Sequence, residues 1–442
     1  MRSALLSMAT VLLLVACGGD DKPAPKTPEQ ANALRGGAAE GSKPSTGSTT
    51  DVGAVEGAGS SGLTGGALSA YTAGWNAYLS GDLNTAKKKF QDAQSQDSKS
   101  PAPSHALGIV LERLGDIAGA QAAYRAAYTS NPDHDLSVCA YALALANSGH
   151  IGEADSFLQG QKNKKPSSPR VATCLADVKS IQNDHATAQQ LAQDALKMDP
   201  DFKDAMVTIA RDHYRARKLT LAEYALKAVL EGYGGTPRDK DNAEAHLLRG
   251  LLLREAGARA GALLDFEAAI KKRPDLTEAL VNLGSMRLEA GNAVDAAPVL
   301  ESATKFAPNN ALAHLNLGDA YRLLGKYADA KKEFELALAK DSSLAAAHYD
   351  LGLMFLTAPT IPGYSADQQV STAIKELQSY RTMRGPKPPP GVQDDVDDLI
   401  QRANAKQAEL KQTPAPAAAP AGKPAGSAAP AKPAAGAPPA KK

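Results

Sequence analysis

Cysteine is scarce in this chain, with three in 442 residues, too few for a disulfide-stapled scaffold or a Cys-rich zinc module. Aromatic residues make up only 5% and tryptophan occurs once, which argues against a sheet built on β-branched and aromatic side chains. Neither sign of charge dominates. Lys+Arg 49 against Asp+Glu 48 leaves a net +1, so a basic field for nucleic acid is excluded. The motifs GxxxxGK(S/T), HExxH, GxSxG and CxxC are missing. A lone GxGxxG match, Gly57-Ala58-Gly59-Ser60-Ser61-Gly62, has neither the strand before it nor the helix start after it that phosphate binding needs. No catalytic residue, cofactor or metal site is expected. What is plentiful is alanine, at 85 of 442 positions, which favours helices that meet through small side chains.

Long apolar runs are missing too. The longest, Ala4 to Val15, is about 12 residues. A bilayer span needs ~20, and 12 is the length of a signal-peptide core. The run ends in Leu14-Val15-Ala16-Cys17, which resembles a bacterial lipobox. That resemblance implies that residues 1–16 are removed and that Cys17 carries lipid. Gly18, standing where inner-membrane lipoproteins carry aspartate, implies the outer membrane, with the anchored chain on its periplasmic face. Several acyl chains at ~0.8 kcal/mol per buried methylene hold firmly. Residues 17–66 are rich in Gly, Ala, Ser, Thr and Pro and read as a flexible linker.

From Ala67 the sequence repeats. Repeats start at Ala67, Pro101, Asp135, Pro169, Lys203, Ala243, Thr277, Ala311 and Ala345, with steps of 34 except one of 40. Position 8 is always Gly or Ala, and position 20 is Ala throughout, reaching Ala373 in the ninth repeat across an insertion. Small residues at both positions let two antiparallel helices approach closely. Position 15 is Gly81, Gly115, Gly149, Gly257, Gly291 or Gly325, with Asn183 once, residues that accept the left-handed conformation ending a helix. Position 24 holds Phe90, Tyr124, Phe266 and Phe334, and proline at position 32 stops the second helix.

This pattern resembles the tetratricopeptide (TPR) repeat over about residues 67–380. It implies an all-α solenoid of about nine helix-turn-helix units, repeats 1–5 in 67–234 and 6–9 in 243–380. Repeats 3–5 depart furthest from the pattern. Residues 391–411, with Val392, Val396, Leu399, Ile400, Ala403 and Leu410 at helical spacing, read as a capping helix led by Asp394, Asp395, Asp397 and Asp398. The Ala/Pro/Lys-rich stretch 412–442 reads as a disordered tail, either a solvated spacer or a contact for anionic cell-wall polymer.

Eight histidines invite a metal reading. Their register opposes it: His246, His314 and His348 share position 4, a packing site, and the rest are scattered. Chaperone-binding repeats pair a lysine at the fifth position with an asparagine at the ninth, and no repeat here does so. Cys139 and Cys174 fall on neighbouring first helices. Helix axes stand ~8–10 Å apart and a disulfide needs Cα atoms within ~7 Å, so two buried thiols are expected, with a bridge as the alternative.

In TPR proteins positions 2, 5, 9, 12 and 13 of the first helix line the concave groove. In repeats 7–9 these include Val281, Leu288, Leu312, Leu315, Leu323, Tyr349, Leu353 and Leu356, bordered by Glu278, Glu289, Asp319 and Arg322. An apolar stripe of that kind is expected to take an apolar segment of a partner protein. Tyr71, Trp75 and Tyr78 of repeat 1 form a second candidate patch. The whole build is similar to TPR outer-membrane lipoproteins, the myxobacterial gliding-motility lipoproteins among them. This implies a non-enzymatic scaffold for an envelope machine (gliding, pilus or secretion). The alternatives are an adaptor for peptidoglycan enzymes or a periplasmic protease, and an unrecognised enzyme or glycan-binding module.

Overall fold

A computed structural model describes residues 62–233, 238–385 and 394–412. The lipobox with Cys17, most of the linker, Val392 and all but the first residue of the tail lie outside the described residues. Among those described there are helices and no strands. The helices run α1 Gly65–Leu79, α2 Leu83–Gln96, α3 Pro101–Arg113, α4 Ile117–Ser130, α5 Asp135–Asn147, α6 Ile151–Lys164, α7 Pro169–Ile181, α8 His185–Met198 and α9 Lys203–Arg215. They continue as α10 Leu219–Leu230, α11 Ala243–Glu255, α12 Arg259–Lys272, α13 Thr277–Glu289, α14 Ala293–Phe306, α15 Ala311–Leu323, α16 Tyr327–Lys340, α17 Ala345–Thr357, α18 Ala366–Arg384 and α19 Val396–Gln412. Nine antiparallel pairs stack in order, and α19 closes the end. None of these helices is long and apolar enough to cross a membrane.

Each repeat is punctuated by the same local chemistry. The position-15 glycines and Asn183 take positive φ, and in repeat 5 Arg217 does the same at φ 59°. One residue later Asp82, Asp116, Asp184 and Asn292 cap the second helices, each side chain accepting from a backbone N–H three residues on, at 2.9–3.2 Å. Within pairs, position 8 meets position 24. A Cβ placed on Gly74, Gly108, Gly250 or Gly318 would fall 2.4–2.7 Å from the ring of Phe90, Tyr124, Phe266 or Phe334. Where position 8 is alanine, in repeats 3–5, position 24 is Leu158, Ala192 or Leu226. The position-4 histidines are packing groups: Nδ1 of His246, His314 and His348 bonds Asp265, Glu333 and Glu376 at 2.6–2.8 Å.

Two expectations are corrected. Cys139 and Cys174 form a disulfide, with Cα atoms 5.7 Å apart. Axis separation was the wrong measure. Each Cα stands ~2.3 Å off its own axis, so facing residues of α5 and α7 come several ångströms closer than the axes do. The cap also starts later than expected, at Val396 rather than 391. Asp394 and Asp395 precede it: Asp394 accepts from Arg384 and from the Val396 backbone N–H at 2.8 Å, and Asp395 accepts from Tyr349 at 2.9 Å.

The superhelix also meets itself after one turn. Tyr78 at the end of α1 donates to Asp275 Oδ2 across 197 positions of sequence, at 2.9 Å. Asn309, between α14 and α15, donates to Leu114 O at 2.8 Å.

Candidate partner-binding groove

Repeating first helices place every position 2, 5 and 9 on one face, and the structure holds a cavity on that face. It measures about 380 Å³ and is lined from α7, α9 and α11. Arg170, Thr173 and Asp177 of repeat 4, Asp204, Val207 and Arg211 of repeat 5, and Glu244 of repeat 6 stand at positions 2, 5, 9, 2, 5, 9 and 2 in turn. Cys174 of the disulfide is part of the wall, and Lys203 and Lys272 stand exposed at the edge.

The wall is polar and internally matched. Arg211 bridges Asp177 at 2.9 Å and Glu244 at 3.5 Å, Thr208 donates to Asp177 at 3.1 Å, and Arg170 pairs Asp204 at 2.7 Å. Arg273 reaches Glu244 at 3.4 Å and Asp275 at 3.0 Å. Burial works against the charge of Arg211, yet Asp177 and Glu244 outweigh it and raise its pKa above the ordinary arginine value. Next to them, burial brings Arg215 down to about 10 despite Asp177. Lys203 and Lys272 have no ion-pair partner among the described residues. No three His, Cys, Asp or Glu side chains among those residues are grouped to hold a metal ion. The arrangement can recognise charge and shape.

The apolar stripe nominated from the sequence is mostly covered. Tyr71, Trp75 and Tyr78 are buried, packed edge-on to one another and onto Phe90. Tyr78 is sealed by Phe306 of the next superhelical turn, ring centroids 5.9 Å apart. Leu288 is buried beneath α14 with Ala293 and Leu300, and Leu315 is buried between repeats 8 and 9. Tyr349 lies under Tyr380, Val396, Leu399 and Ile400, and the half-buried Leu353 and Leu356 pack on the same cluster. The capping helix therefore fills the groove of repeat 9. Val281 and Leu312 are half-buried, and Leu323, 47% exposed, is the one nominee left open. The bordering acids are engaged, Glu289 by Arg254 and Arg259 and Asp319 by Arg322. The groove that is open, in repeats 4–6, could have been found by applying the same positions there.

Sequence profiles of the tetratricopeptide repeat match residues 105–159, 207–276, 247–311 and 287–351. These segments together cover less than half of the chain; over them it carries tetratricopeptide repeats, and the described helices stack as a solenoid of that kind. No curated protein matches the chain in sequence. Among solved structures it is similar to the APC/C hetero-tetramer Cut9–Hcn1, at 14% identity and TM-score 0.48 over 80% of each chain. It is also similar to two structures of MamA, at 22% and 21% identity and TM-score 0.32. These cover 39% and 40% of this chain and 96% and 93% of theirs.

Proposed function

We propose that this protein is a lipid-anchored periplasmic scaffold for an envelope machine (a gliding, pilus or secretion apparatus) and that it binds partner proteins in the groove of repeats 4–6. The observation carrying the binding site is the cavity, because it opens where three successive repeats present their groove positions. Its lining changes the expected partner. Ion pairs within the wall, with Lys203, Lys272, Asp239 and Asp241 outside any ion pair among the described residues, favour a hydrophilic segment carrying both signs of charge over an apolar helix. The Cys139–Cys174 bridge supports an oxidising compartment, since disulfides persist there and are rare in cytosol. The lipobox supports the anchor.

Affinity capture from detergent-solubilised native membranes tests this, comparing the wild type with Lys203→Glu/Lys272→Glu. Components of a motility, pilus or secretion apparatus should be recovered and then lost in the variant. Recovery of peptidoglycan enzymes would replace the machine reading with the adaptor reading. Unchanged recovery by the variant would remove the groove from the account.

A further inference from the structure

Repeats of a solenoid contact their neighbours in sequence, and helix stacking alone does not join distant repeats. Here the first two repeats are joined to the sixth and seventh. Asp275, fully buried between α12 and α13, accepts from Tyr78 at 2.9 Å, from Arg113 at 3.0 Å and from Arg273 at 3.0 Å. Arg113 also donates to Thr277 at 3.4 Å and to the Tyr78 hydroxyl at 3.3 Å. On the next level Asn309 donates to Leu114 O, and Lys305 lies against Gly81.

We propose that this seam is a clasp: it opens and closes the superhelix as a unit, while the repeats themselves stay folded. The make-up of the seam carries the inference. Its contacts are hydrogen bonds and ion pairs apart from the ring pair Tyr78–Phe306 and the Lys305 stem against Gly81. The hydrophobic clusters on its two sides stay separate, Tyr78 with Trp75 and Phe90, Phe306 with Leu280, Ala303 and Ala313. Hydrogen bonds can be exchanged for water at modest net cost, whereas separating neighbouring repeats exposes continuous apolar core. The seam is therefore the place where the array parts first. Burial pushes the Asp275 carboxyl up, but Arg273 and Arg113 outweigh it and hold it below the ordinary range, so it remains charged and the clasp closed at neutral pH.

Arg273 belongs to both structures. It grips Asp275 in the clasp and Glu244 in the cavity wall. Opening the clasp takes Tyr78 and Arg113 off Asp275, while Arg273, two residues away on the same side of the seam, stays with it beside the cavity. A consequence for binding rests on the groove being the binding surface; the clasp itself does not.

Hydrogen exchange by mass spectrometry on the full-length chain tests the clasp without any partner, so its failure and that of the groove are distinguishable. In Arg113→Met and Asp275→Asn, peptides covering 78–82, 112–116 and 304–310 should exchange at least tenfold faster, while α7 to α10 keep wild-type protection. Fluorescence of Trp75, the sole tryptophan, should shift to the red as Tyr78 beside it is released. Unchanged exchange at the seam overturns the clasp, and so does a loss spread evenly over all repeats. Should either variant not fold, Tyr78→Phe and Asn309→Ala each remove one seam hydrogen bond. Both must then raise exchange at the same peptides, and no change in either overturns the proposal.

Discussion

Replacing Gly250 by alanine puts the helix-pairing rule under direct strain. The new Cβ would sit 2.7 Å from Cε1 and 2.9 Å from Cδ1 of Phe266, a fully buried ring. Carbon pairs rest at ~3.5–4.0 Å, so ring or helix must move by about 1 Å. Overpacking of this kind costs ~1–3 kcal/mol. Alanine in a helix recovers ~1 kcal/mol over glycine. The expected net loss is therefore about 1 kcal/mol. A second substitution distinguishes a steric cause from any other. Ala142 faces Leu158 and Ala210 faces Leu226, all with 0% exposure, so this chain already pairs alanine with leucine. Phe266→Leu alone opens space and should cost ~1–2 kcal/mol. Combined with Gly250→Ala, the methyl fills that space, and the pair should couple favourably by ~1–2 kcal/mol in a double-mutant cycle. Repeat arrays need not unfold in two states, so the assay is the opening free energy of α11 and α12 amides by native-state hydrogen exchange. A coupling within about 0.3 kcal/mol of zero, or a stabilised single alanine variant, would refute the packing argument.

Cys139→Ser/Cys174→Ser should destabilise the folded chain by ~3–4 kcal/mol, because the bridge spans 35 residues of sequence. Urea midpoints that do not move, or thiols at both positions in denatured unreduced protein, would contradict the bridge. His105 should make the chain acid-sensitive. Burial, then the charge of His134, lowers its pKa from 6.5 to about 3. Between those values the unfolded chain takes up a proton that the folded chain refuses. Stability should therefore fall as pH drops from 6.5 toward 3, by at most about 1.4 kcal/mol per pH unit for this one group. His105→Gln should flatten that slope; parallel pH curves for variant and wild type would exclude the effect. For the anchor, Cys17→Ser should move the protein from the membrane fraction to the soluble periplasmic fraction, and unchanged outer-membrane fractionation would defeat the lipoprotein reading.

The period of 34 and the Gly, Ala and Pro positions made the helices legible, since each position reports a local requirement. Arg217 shows the limit: a position that must take positive φ can be filled without glycine, at a cost absorbed by the stacked helices around it. The disulfide was missed through geometry, by reading axis spacing as Cα spacing. The burial of Tyr78 was beyond the period altogether. It depends on rotation accumulated over six repeats, which brings Phe306 and Asp275 back onto α1. The stripe in repeats 7–9 was chosen for its hydrophobicity, and most of those side chains pack against neighbouring helices and the cap. The cavity of repeats 4–6 is charged, and the departure of repeats 4 and 5 from the pattern hid a register that still holds there at Arg170, Asp177 and Arg211.

Site-specific photo-crosslinking in living cells tests most directly whether the groove of repeats 4–6 is where this scaffold holds its partner. A benzoylphenylalanine placed at Lys203, on the edge of the cavity, should yield a discrete adduct with an envelope protein identifiable by mass spectrometry. The same probe at Leu353, under the capping helix cluster, should yield none. An adduct at Leu353 with none at Lys203 would contradict the account.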